Sequence, residues 1–322
     1  MFFSFIIPVF NRPDEVEELL ESLTKQSVKD FEVLIVEDGS SVTCEKVCKK
    51  YEGRLDLHYF KKPNSGPGQT RNYGAERARG EYLIILDSDV VVPEGYLAAV
   101  SKELESNPTE AFGGPDAAHD SFTPTQKAIS YSMTSFFTTG GIRGGKKQLD
   151  KKFYPRSFNL GVRREVYQQL GGFTTERFSK MSLYGEDIDF SLRIYKNGYS
   201  CRLFPEAWLW HKRRTDFRKF WRQVYNSGYA RINLWRKYPE ALKPVHALPA
   251  VFTIGVAGLL LFSVFSVLAF IPLILYSVLI FIDSTIRNKS VMVGLKSIPA
   301  AFIQLIGYGV GFLESLFTKK HG

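Results

Sequence analysis

Cysteine is scarce in this sequence: three residues occur among 322, namely Cys44, Cys48 and Cys201. An odd number without the spacing of a disulfide framework excludes a disulfide-stapled secreted domain and favours a reducing compartment without thiol chemistry. Residues 1–7 are largely apolar but short, lack a basic segment and end at Pro8. We therefore interpret them as the first strand of the fold and not as a signal peptide.

The sequence also lacks internal repeats, low-complexity segments and an excess of acidic residues. It has 42 Lys and Arg against 33 Asp and Glu, which gives a formal net charge of +9. Such a charge is compatible with nucleic acid, anionic lipid or phosphate-bearing substrates. The composition leaves these partner classes open, in a chain long enough for one large domain and an appendage.

Charged residues are absent from residues 247–282, and a second apolar block, residues 291–317, is interrupted only by Lys296 and Glu314. One membrane-spanning helix needs about 20 apolar residues. We therefore predict an integral membrane protein with a soluble N-terminal domain. Two spans, the first kinked at Pro272, are an alternative to the three spans that we favour. The three favoured spans are residues 248–269, 271–286 and 291–317.

Segments typical of strands and helices alternate through the first part of the chain, with Asn11 as the expected cap of the first helix. This alternation predicts an α/β fold with a mainly parallel sheet. Residues 80–90, GEYLIILDSDV, are the expected central strand. The apolar residues 83–86 predict burial on both faces, and Asp87 and Asp89 follow at the carboxyl end, where open α/β sheets bind ligands. One carboxylate can bind a divalent metal and the other a ribose or base edge; a solvated turn is the alternative.

Basic and aromatic residues are interleaved in residues 202–240, which carry ten Lys and Arg against three Asp and Glu. Such a stretch can bind nucleic acid through stacking and phosphate contacts. Because it directly precedes the apolar block, we interpret it as an amphipathic helix at an anionic membrane interface and expect no nucleic-acid partner. Basic residues beside the first span also place the soluble domain in the cytoplasm. A separate Gly- and Lys-rich segment, residues 140–152, is predicted to be a substrate lid.

Four short motifs follow one another in a defined order. They are FIIPVFNR at residues 5–12, VEDGS at 36–40, GPGQTRNYGA at 66–75 before the Asp87-Ser88-Asp89 triplet, and GEDIDF at 185–190. Each motif is weak alone, but in this order they resemble the family-2 inverting glycosyltransferases. The resemblance covers roughly residues 1–235 and implies the GT-A fold, a Rossmann-like α/β fold with a mixed, mainly parallel sheet.

The resemblance implies a nucleotide-sugar donor, a UDP- or GDP-sugar, and a divalent cation, Mg²⁺ or Mn²⁺, that neutralises the leaving diphosphate. Asp89 and His211 would bind the metal. Asp187 would be the base that accepts the proton of the acceptor hydroxyl, with Glu186 orienting the acceptor. The implied donor-binding residues are Pro8, Phe10, Asp38, Arg71, Asp87, Gly114, Asn159, Arg213 and Arg214.

The residues themselves leave alternatives open for several of these assignments. Asp38 precedes a glycine and is equally compatible with an Asx turn, and Arg71 with an ion pair on a helix surface. Glu186 and Asp187 fit the preference of a first helical turn for acids, although this preference does not explain three acids in GEDID. His211 is also compatible with a structural role.

One departure from the family pattern bears on the reaction. Processive polysaccharide synthases of the family carry a Gln-x-x-Arg-Trp motif and spans before the catalytic domain, whereas residues 223–227 read QVYNS and no leading span is found. We therefore expect transfer of a single sugar to a lipid-linked or membrane acceptor at the cytoplasmic leaflet. A processive synthase and a catalytically idle nucleotide-sugar-binding scaffold are the alternatives.

The predicted organisation is that of a multi-pass protein of the inner (plasma) membrane. Residues 1–212 would form the cytoplasmic catalytic domain, residues 213–244 the basic aromatic interfacial helix region, and residues 245–318 the transmembrane region of two or three helices.

Overall fold

The computed structural model describes residues 2–117, 119, 121–140, 152–176, 178 and 184–318. The predicted lid therefore lies outside the described residues except for its two ends. The strands are β1 Phe3–Val9, β2 Phe31–Asp38, β3 Asp56–Lys62, β4 Tyr82–Leu86, β5 Val90–Val91, β6 Ala111–Gly113, β7 Asp116–Ala117, β8 Asn159–Arg163, β9 Cys201–Leu203 and β10 Leu209–His211. The helices are α1 Pro13–Thr24, α2 Glu45–Tyr51, α3 Pro67–Ala75, α4 Tyr96–Ser106, α5 Pro124–Thr134, α6 Phe136–Thr139, α7 Arg164–Gln169, α8 Glu186–Lys196, α9 Phe217–Lys237, α10 Leu248–Phe262, α11 Ile271–Asn288, α12 Val291–Phe302 and α13 Tyr308–Phe317.

The chain divides into two compact units. The first unit contains all ten strands listed above and the helices α1–α4, α7 and α8. The second unit contains the helices α5, α6 and α9–α13. In the first unit, one sheet has the strand order β3-β2-β1-β4-β8-β6-β9, and a smaller sheet has the order β5-β10-β7. Strands β1 to β4 are parallel to one another in the large sheet, whereas β8 is antiparallel to both of its neighbours, β4 and β6. The predicted mixed, mainly parallel sheet is therefore confirmed.

Burial explains why these segments form the centre of the sheet. Every residue of β2 and β4 is buried, as is every residue of β1 except Pro8. Strands that are covered by helices on both faces need such continuous apolar runs. Because β1, β2 and β4 are parallel, their carboxyl ends lie along one edge of the sheet. The polar residues that follow these strands meet at that edge.

Asn11 does not cap α1, so this prediction is wrong. Its φ of 56° lies in the left-handed region, which Asn tolerates better than most residues. Its Oδ1 accepts hydrogen bonds from Ser41 Oγ at 3.0 Å and from Val42 N at 2.9 Å. The Asn11 amide therefore ties the loop after β1 to the loop after β2, and Arg12 occupies the position before α1.

The second unit contains three helical stretches that are long and apolar enough to cross a membrane: Pro244–Phe262, Val267–Asn288 and Val291–Phe317. They correspond to the three favoured spans. Helix α10 ends at Phe262, well before Pro272. Pro272 lies in the first turn of α11, where proline is tolerated. The single long helix kinked at Pro272 is therefore wrong, and a π-helical turn, Ile303–Gly307, joins the two halves of the third stretch.

The predicted amphipathic helix is present as α9, which packs closely along α13. A Cβ atom placed on Gly228 would lie 2.1 Å from the carbonyl oxygen of Tyr308, and one on Gly311 would lie 2.1 Å from that of Tyr225. Glycine at both positions therefore allows the two helices to approach closely. Part of the apolar face of α9 contacts protein in this way.

Candidate active site

Asp87, Asp89 and His211 form a group of potential metal ligands in the first unit. Both aspartates follow β4, and β10 pairs with β5 so that His211 lies opposite Val90, next to Asp89. One ligand atom from each of the three residues lies within 4.8 Å of the others. His211 Nε2 is 3.3 Å from Asp89 Oδ1, and the His211 ring stacks on Phe158 with a centroid distance of 4.6 Å. The pairing of two short strands therefore brings the predicted metal residues together.

Asp89 is held in its charged form within this group. Burial opposes its ionisation, but the neighbouring imidazole of His211 and the nearby charge of Arg12 keep the pKa of Asp89 well below its usual range. Arg12 Nη1 lies 2.5 Å from Asp89 Oδ2. An ionised carboxylate is the form that a hard divalent cation requires.

The donor atoms fit a divalent cation. Within the described part of the chain, Asp89 Oδ1 and His211 Nδ1 are buried without a partner in hydrogen-bond geometry. A buried polar atom in this condition costs free energy, and a cation bound at Asp89 Oδ1 would remove that cost. Carboxylate oxygens are the ligands that Mg²⁺ and Mn²⁺ prefer, and neutral imidazole is a common further ligand. Asp87, Asp89 and His211 are therefore suited to hold such an ion.

Arg71 connects this group to the start of α8. It is buried in α3, its Nη2 donates to Asp87 Oδ1 at 2.9 Å, and its Nη1 donates to Glu186 Oε1. The guanidinium also lies over the ring of Phe173, 5.1 Å from the centroid. Gly68 permits the close approach, because a Cβ atom there would lie 2.6 Å from Glu186 Oε2. An ion pair on a helix surface, the alternative for Arg71, is therefore wrong.

Glu186 and Asp187 begin α8 but lie in different surroundings. Burial raises the pKa of the Glu186 carboxyl to about 7. The positive charge of Arg71 lowers this pKa, and the negative charge of the neighbouring Asp187 raises it. The Asp187 side chain is 16% exposed, and its Oδ2 lies 3.4 Å from Arg156 Nη1. Glu186 is thus held inside the unit by Arg71, whereas Asp187 is accessible to a ligand.

Asp38 organises the loop that precedes α3. Its carboxylate accepts hydrogen bonds from Lys62 Nζ and from the backbone N–H groups of Ser65 and Gly66, the latter two at 2.8 and 2.9 Å. Burial opposes the ionisation of Asp38, but these hydrogen bonds lower its pKa below the ordinary value. Both carboxylate oxygens bind this distant loop, so the Asx-turn alternative is wrong.

Pro8 and Phe10 lie where β1 ends. Pro8 is opposite Val36 in the register of β1 and β2, and Phe10, just beyond the strand, is 51% exposed. An exposed aromatic ring at the ligand-binding edge of an α/β sheet is available to pack against a ligand. Their assignment to the donor stays a prediction.

Asn159 begins β8, beside β4 on the side away from β1, and Gly114 directly follows β6. Asn159 is opposite Leu86, donates from its amide to Ala207 O at 2.9 Å and accepts from Tyr96 OH at 2.7 Å. A Cβ atom on Gly114 would lie 1.7 Å from Ala207 O, so this position requires glycine. These contacts give both residues a place in the packing around Ala207, and their contact with the donor sugar stays a prediction.

Arg213 and Arg214 belong to the second unit, and their assignment to the donor also stays a prediction. Arg213 is buried, and its carbonyl accepts a hydrogen bond from Gln126 Nε2 at 3.0 Å.

The sequence interpretation missed three residues of the site. Arg12 binds Asp89, Arg156 contacts Asp187, and Phe158 stacks on His211. Arg12 is the last residue of the FIIPVFNR motif. A basic side chain shortly after β1, at the edge of the sheet that binds ligands, could have indicated a partner for Asp89. Arg156 and Phe158 stand before β8 in a segment without periodic pattern, and no local signal points to them.

Comparison with known proteins identifies the family. The sequence profile of Glycosyl transferase family 2 matches residues 4–171, just over half of the chain. The chain belongs to this family. The glycosyltransferase AglE of Haloferax volcanii is 24% identical over 258 residues, which cover 79% of this chain and 81% of AglE. The poly(ribitol-phosphate) β-N-acetylglucosaminyltransferase TarS of Staphylococcus aureus is 37% identical over 93 residues, which cover 28% of this chain and 16% of TarS.

Solved structures share the fold. The mannosyltransferase PcManGT of Pyrobaculum calidifontis, in complex with GDP-Man and Mn²⁺, has a TM-score of 0.67 and 17% identity, over 98% of this chain and 87% of that chain. Residues 1–349 of S. aureus TarS, in complex with UDP, give a TM-score of 0.51 and 20% identity, over 73% of this chain and 66% of that chain. The GT-A fold is therefore confirmed, and family membership makes this protein a glycosyltransferase.

Proposed function

We propose that this glycosyltransferase transfers a single sugar, with inversion, from a UDP- or GDP-sugar to a lipid-linked acceptor at the cytoplasmic leaflet of the inner (plasma) membrane. One arrangement supports this proposal most strongly. Arg71 contacts Asp87 of the metal-ligand group with one nitrogen and Glu186, the neighbour of Asp187, with another. A site for the diphosphate and a carboxylate for the acceptor are thus joined through a single side chain.

The bound metal would supply Lewis-acid stabilisation of the charge that develops on the diphosphate. Asp187 accepts the proton of the acceptor hydroxyl as its oxygen forms a bond to the anomeric carbon. The bond between that carbon and the diphosphate oxygen breaks on the opposite face, and the nucleoside diphosphate leaves with the electron pair. Attack and departure on opposite faces invert the anomeric configuration.

The chain's own residues fix the geometry of this step. The Arg71 ion pair holds the first turn of α8, and Asp187 with it, against α3. Asp38 holds the loop before α3 next to the ends of β1 and β2, where the nucleoside would bind. Holding the reacting groups in place lowers the entropic part of the barrier to transfer between two bound substrates.

A lipid-linked acceptor is supported by the second unit, which carries three helical stretches of membrane-spanning length. PcManGT was solved with GDP-Man and TarS with UDP, so both nucleotides are candidates for the donor here. The poly(ribitol-phosphate) named for TarS makes a polyol-phosphate polymer the second acceptor class to examine.

The proposal is tested with the full chain in lipid vesicles. A panel of UDP- and GDP-sugars is screened for release of nucleoside diphosphate, with and without membrane lipid extract, and the product anomer is determined by NMR. Lipid-dependent release with an inverted product that carries one sugar supports the proposal. A retained configuration would overturn the inverting mechanism, and a product of many sugars would overturn single transfer. Equal release with poly(ribitol-phosphate) in place of the lipid extract would overturn the lipid-linked acceptor.

A further inference from the structure

The segment formed by α5 and α6 packs against α12 and contacts α11 at two points within the second unit. Tyr131 OH of α5 donates to Asp283 Oδ2 at 2.7 Å, and Tyr276 OH donates to the carbonyl of Phe137 in α6 at 3.1 Å. Tyr276 and Asp283 are seven residues apart on α11, which corresponds to about 10 Å along the helix axis. The segment thus extends from the polar C-terminal part of α11 toward its middle.

The middle of α11 is the middle of a candidate membrane span. That span, Val267–Asn288, has 22 residues with a mean hydropathy of 2.3. Tyr276 lies about 18 Å from Asn288 along the axis, more than half of a hydrocarbon core about 30 Å thick. If Asn288 lies at the surface of a membrane, the backbone of Phe137 lies inside it.

The Ser and Thr hydroxyls in the second half of this segment bond to its own backbone, as hydrocarbon surroundings require. The hydroxyls of Ser132 and Thr134 donate to carbonyl oxygens of their own helix at 2.8 and 2.9 Å, and Thr138 donates back to Ser132 O at 2.6 Å. At the break between the helices, Ser135 Oγ accepts from Phe137 N at 3.3 Å. A Ser- and Thr-rich sequence of this kind is compatible with membrane depth because its donors are used by its own backbone.

The far end of the segment presents two large apolar side chains. Phe136 is 67% exposed and Phe137 is 38% exposed. On α11, two residues beyond Tyr276, Val278 is also exposed, at 47%. Exposed aromatic rings beside an exposed apolar helix face form the kind of surface that lipid covers.

We propose that residues 124–140 form a re-entrant element, which enters the bilayer beside the second span and places Phe136 and Phe137 among the acyl chains. The partner of this surface is the hydrocarbon region of the membrane. The element adds a fourth membrane-embedded segment to the three spans without crossing the bilayer. The inference rests on membrane insertion of α11, which is part of the proposed function.

The test uses nitroxide labels on the full chain in vesicles of phosphatidylcholine and phosphatidylglycerol. Phe136→Cys and Phe137→Cys are the test positions, and Val278→Cys and Val42→Cys are the lipid and water controls. Val42 is 57% exposed in the first unit, and the native cysteines are buried, so the parent protein gives the labelling background. Collision rates with oxygen, which concentrates in lipid, and with a water-soluble nickel chelate are measured for each label.

We expect the labels at 136 and 137 to match the label at 278, with frequent oxygen collisions and few nickel collisions. Labels at 136 and 137 that match the one at 42, while the one at 278 reports lipid, would overturn the re-entrant element and leave the spans intact. Labels shielded from both reagents would place a second copy of the chain on this surface, which also overturns the proposal. A label at 278 in water would overturn both the span and the re-entrant element.

Discussion

Arg71 and Glu186 form a buried ion pair that joins α3 to the first residue of α8 across 115 positions of sequence. Removal of one partner from a buried pair leaves an uncompensated charge, which costs about 3–5 kcal/mol. We expect Arg71→Met to lower the free energy of unfolding of the first unit by up to about this amount, with the full loss at alkaline pH, where Glu186 is ionised. Thermal unfolding in detergent measures the change.

A matched control for this variant is Arg54→Met. Arg54 Nη2 lies 3.1 Å from Glu21 Oε2 in a pair whose side chains are 50% and 41% exposed. Exposed pairs contribute about 0–1 kcal/mol, so the control should unfold close to the parent. Equal losses in the two variants would contradict the importance of the buried pair.

The raised pKa of Glu186 predicts a dependence of stability on pH. The folded state binds this proton more tightly than the unfolded state, since the pKa rises from 4.5 to about 7 on folding. The corresponding stability is fully present below about pH 4.5 and is lost as the pH rises to about 7. Between these values, unfolding temperatures of Glu186→Gln should rise relative to those of the parent. A difference that stays constant with pH would show that Glu186 does not titrate in this range.

Metal removal should abolish turnover, and Mn²⁺ or Mg²⁺ should restore it. His211→Ala removes one of the three candidate ligands. Loss of even an outer-shell partner typically weakens metal affinity by about 10–100-fold, so at least this shift is expected in the metal concentration for half-maximal activity. Activity that survives exhaustive chelation would contradict the metal role.

His58→Ala provides the control for the histidine. His58 belongs to a second group of potential ligands with Glu32 and Asp56. Arg79 already supplies the positive charge there, because it donates to Glu32 Oε2 at 2.8 Å and to Asp56 Oδ2 at 2.7 Å. The metal dependence of this variant should therefore equal that of the parent.

Asp187→Asn should reduce turnover by about 10²–10⁴-fold, the usual contribution of a general base. The amide keeps the size of the carboxylate but accepts no proton. The affinity for the nucleotide-sugar donor, measured by calorimetry, should change little, since none of the residues assigned to bind that donor is altered. Glu186→Gln should retain more activity, because Arg71 holds the Glu186 carboxylate inside the first unit. A reversed ranking would transfer the base role to Glu186.

Three spans place the two chain ends on opposite sides of the membrane. With a cytoplasmic catalytic unit, alkaline phosphatase fused after residue 318 should be active, because it folds only outside the cytoplasm. The same fusion after residue 289, which leaves two spans, should be inactive. Inactivity of both fusions would reject the third span.

The central strand and its carboxylates could be predicted because their signal is local. Residues 83–86 are apolar and continuous, and Asp87 and Asp89 follow directly. His211 came only from the family resemblance, since the pairing of β10 with β5 joins segments more than a hundred residues apart. No local pattern encodes such a contact.

Two further elements show why tertiary structure limited the prediction. β8 has the sequence NLGVR, without a long apolar run, and its place between β4 and β6 depends on its two neighbours. The segment of α5 and α6 has the composition of a soluble helix, because the sequence does not show that its hydroxyls bond to its own carbonyls. Asn11 was misassigned because its amide binds a loop that is distant in sequence.

The reversed direction of β8 means that two kinds of chain segment border the candidate site. One kind leaves the carboxyl ends of the parallel strands, and the other enters β8. Because β8 runs against β4, its first residue, Asn159, lies beside Leu86, and the chain that enters β8 arrives where the parallel strands end. Arg156 and Phe158 reach Asp187 and His211 from this entering segment. A change in its length or composition would leave the strand register on the nucleotide side untouched. If Asp187 is the base, as proposed, a change in this one short stretch of chain would alter the acceptor side of the site and leave the parallel strands in place.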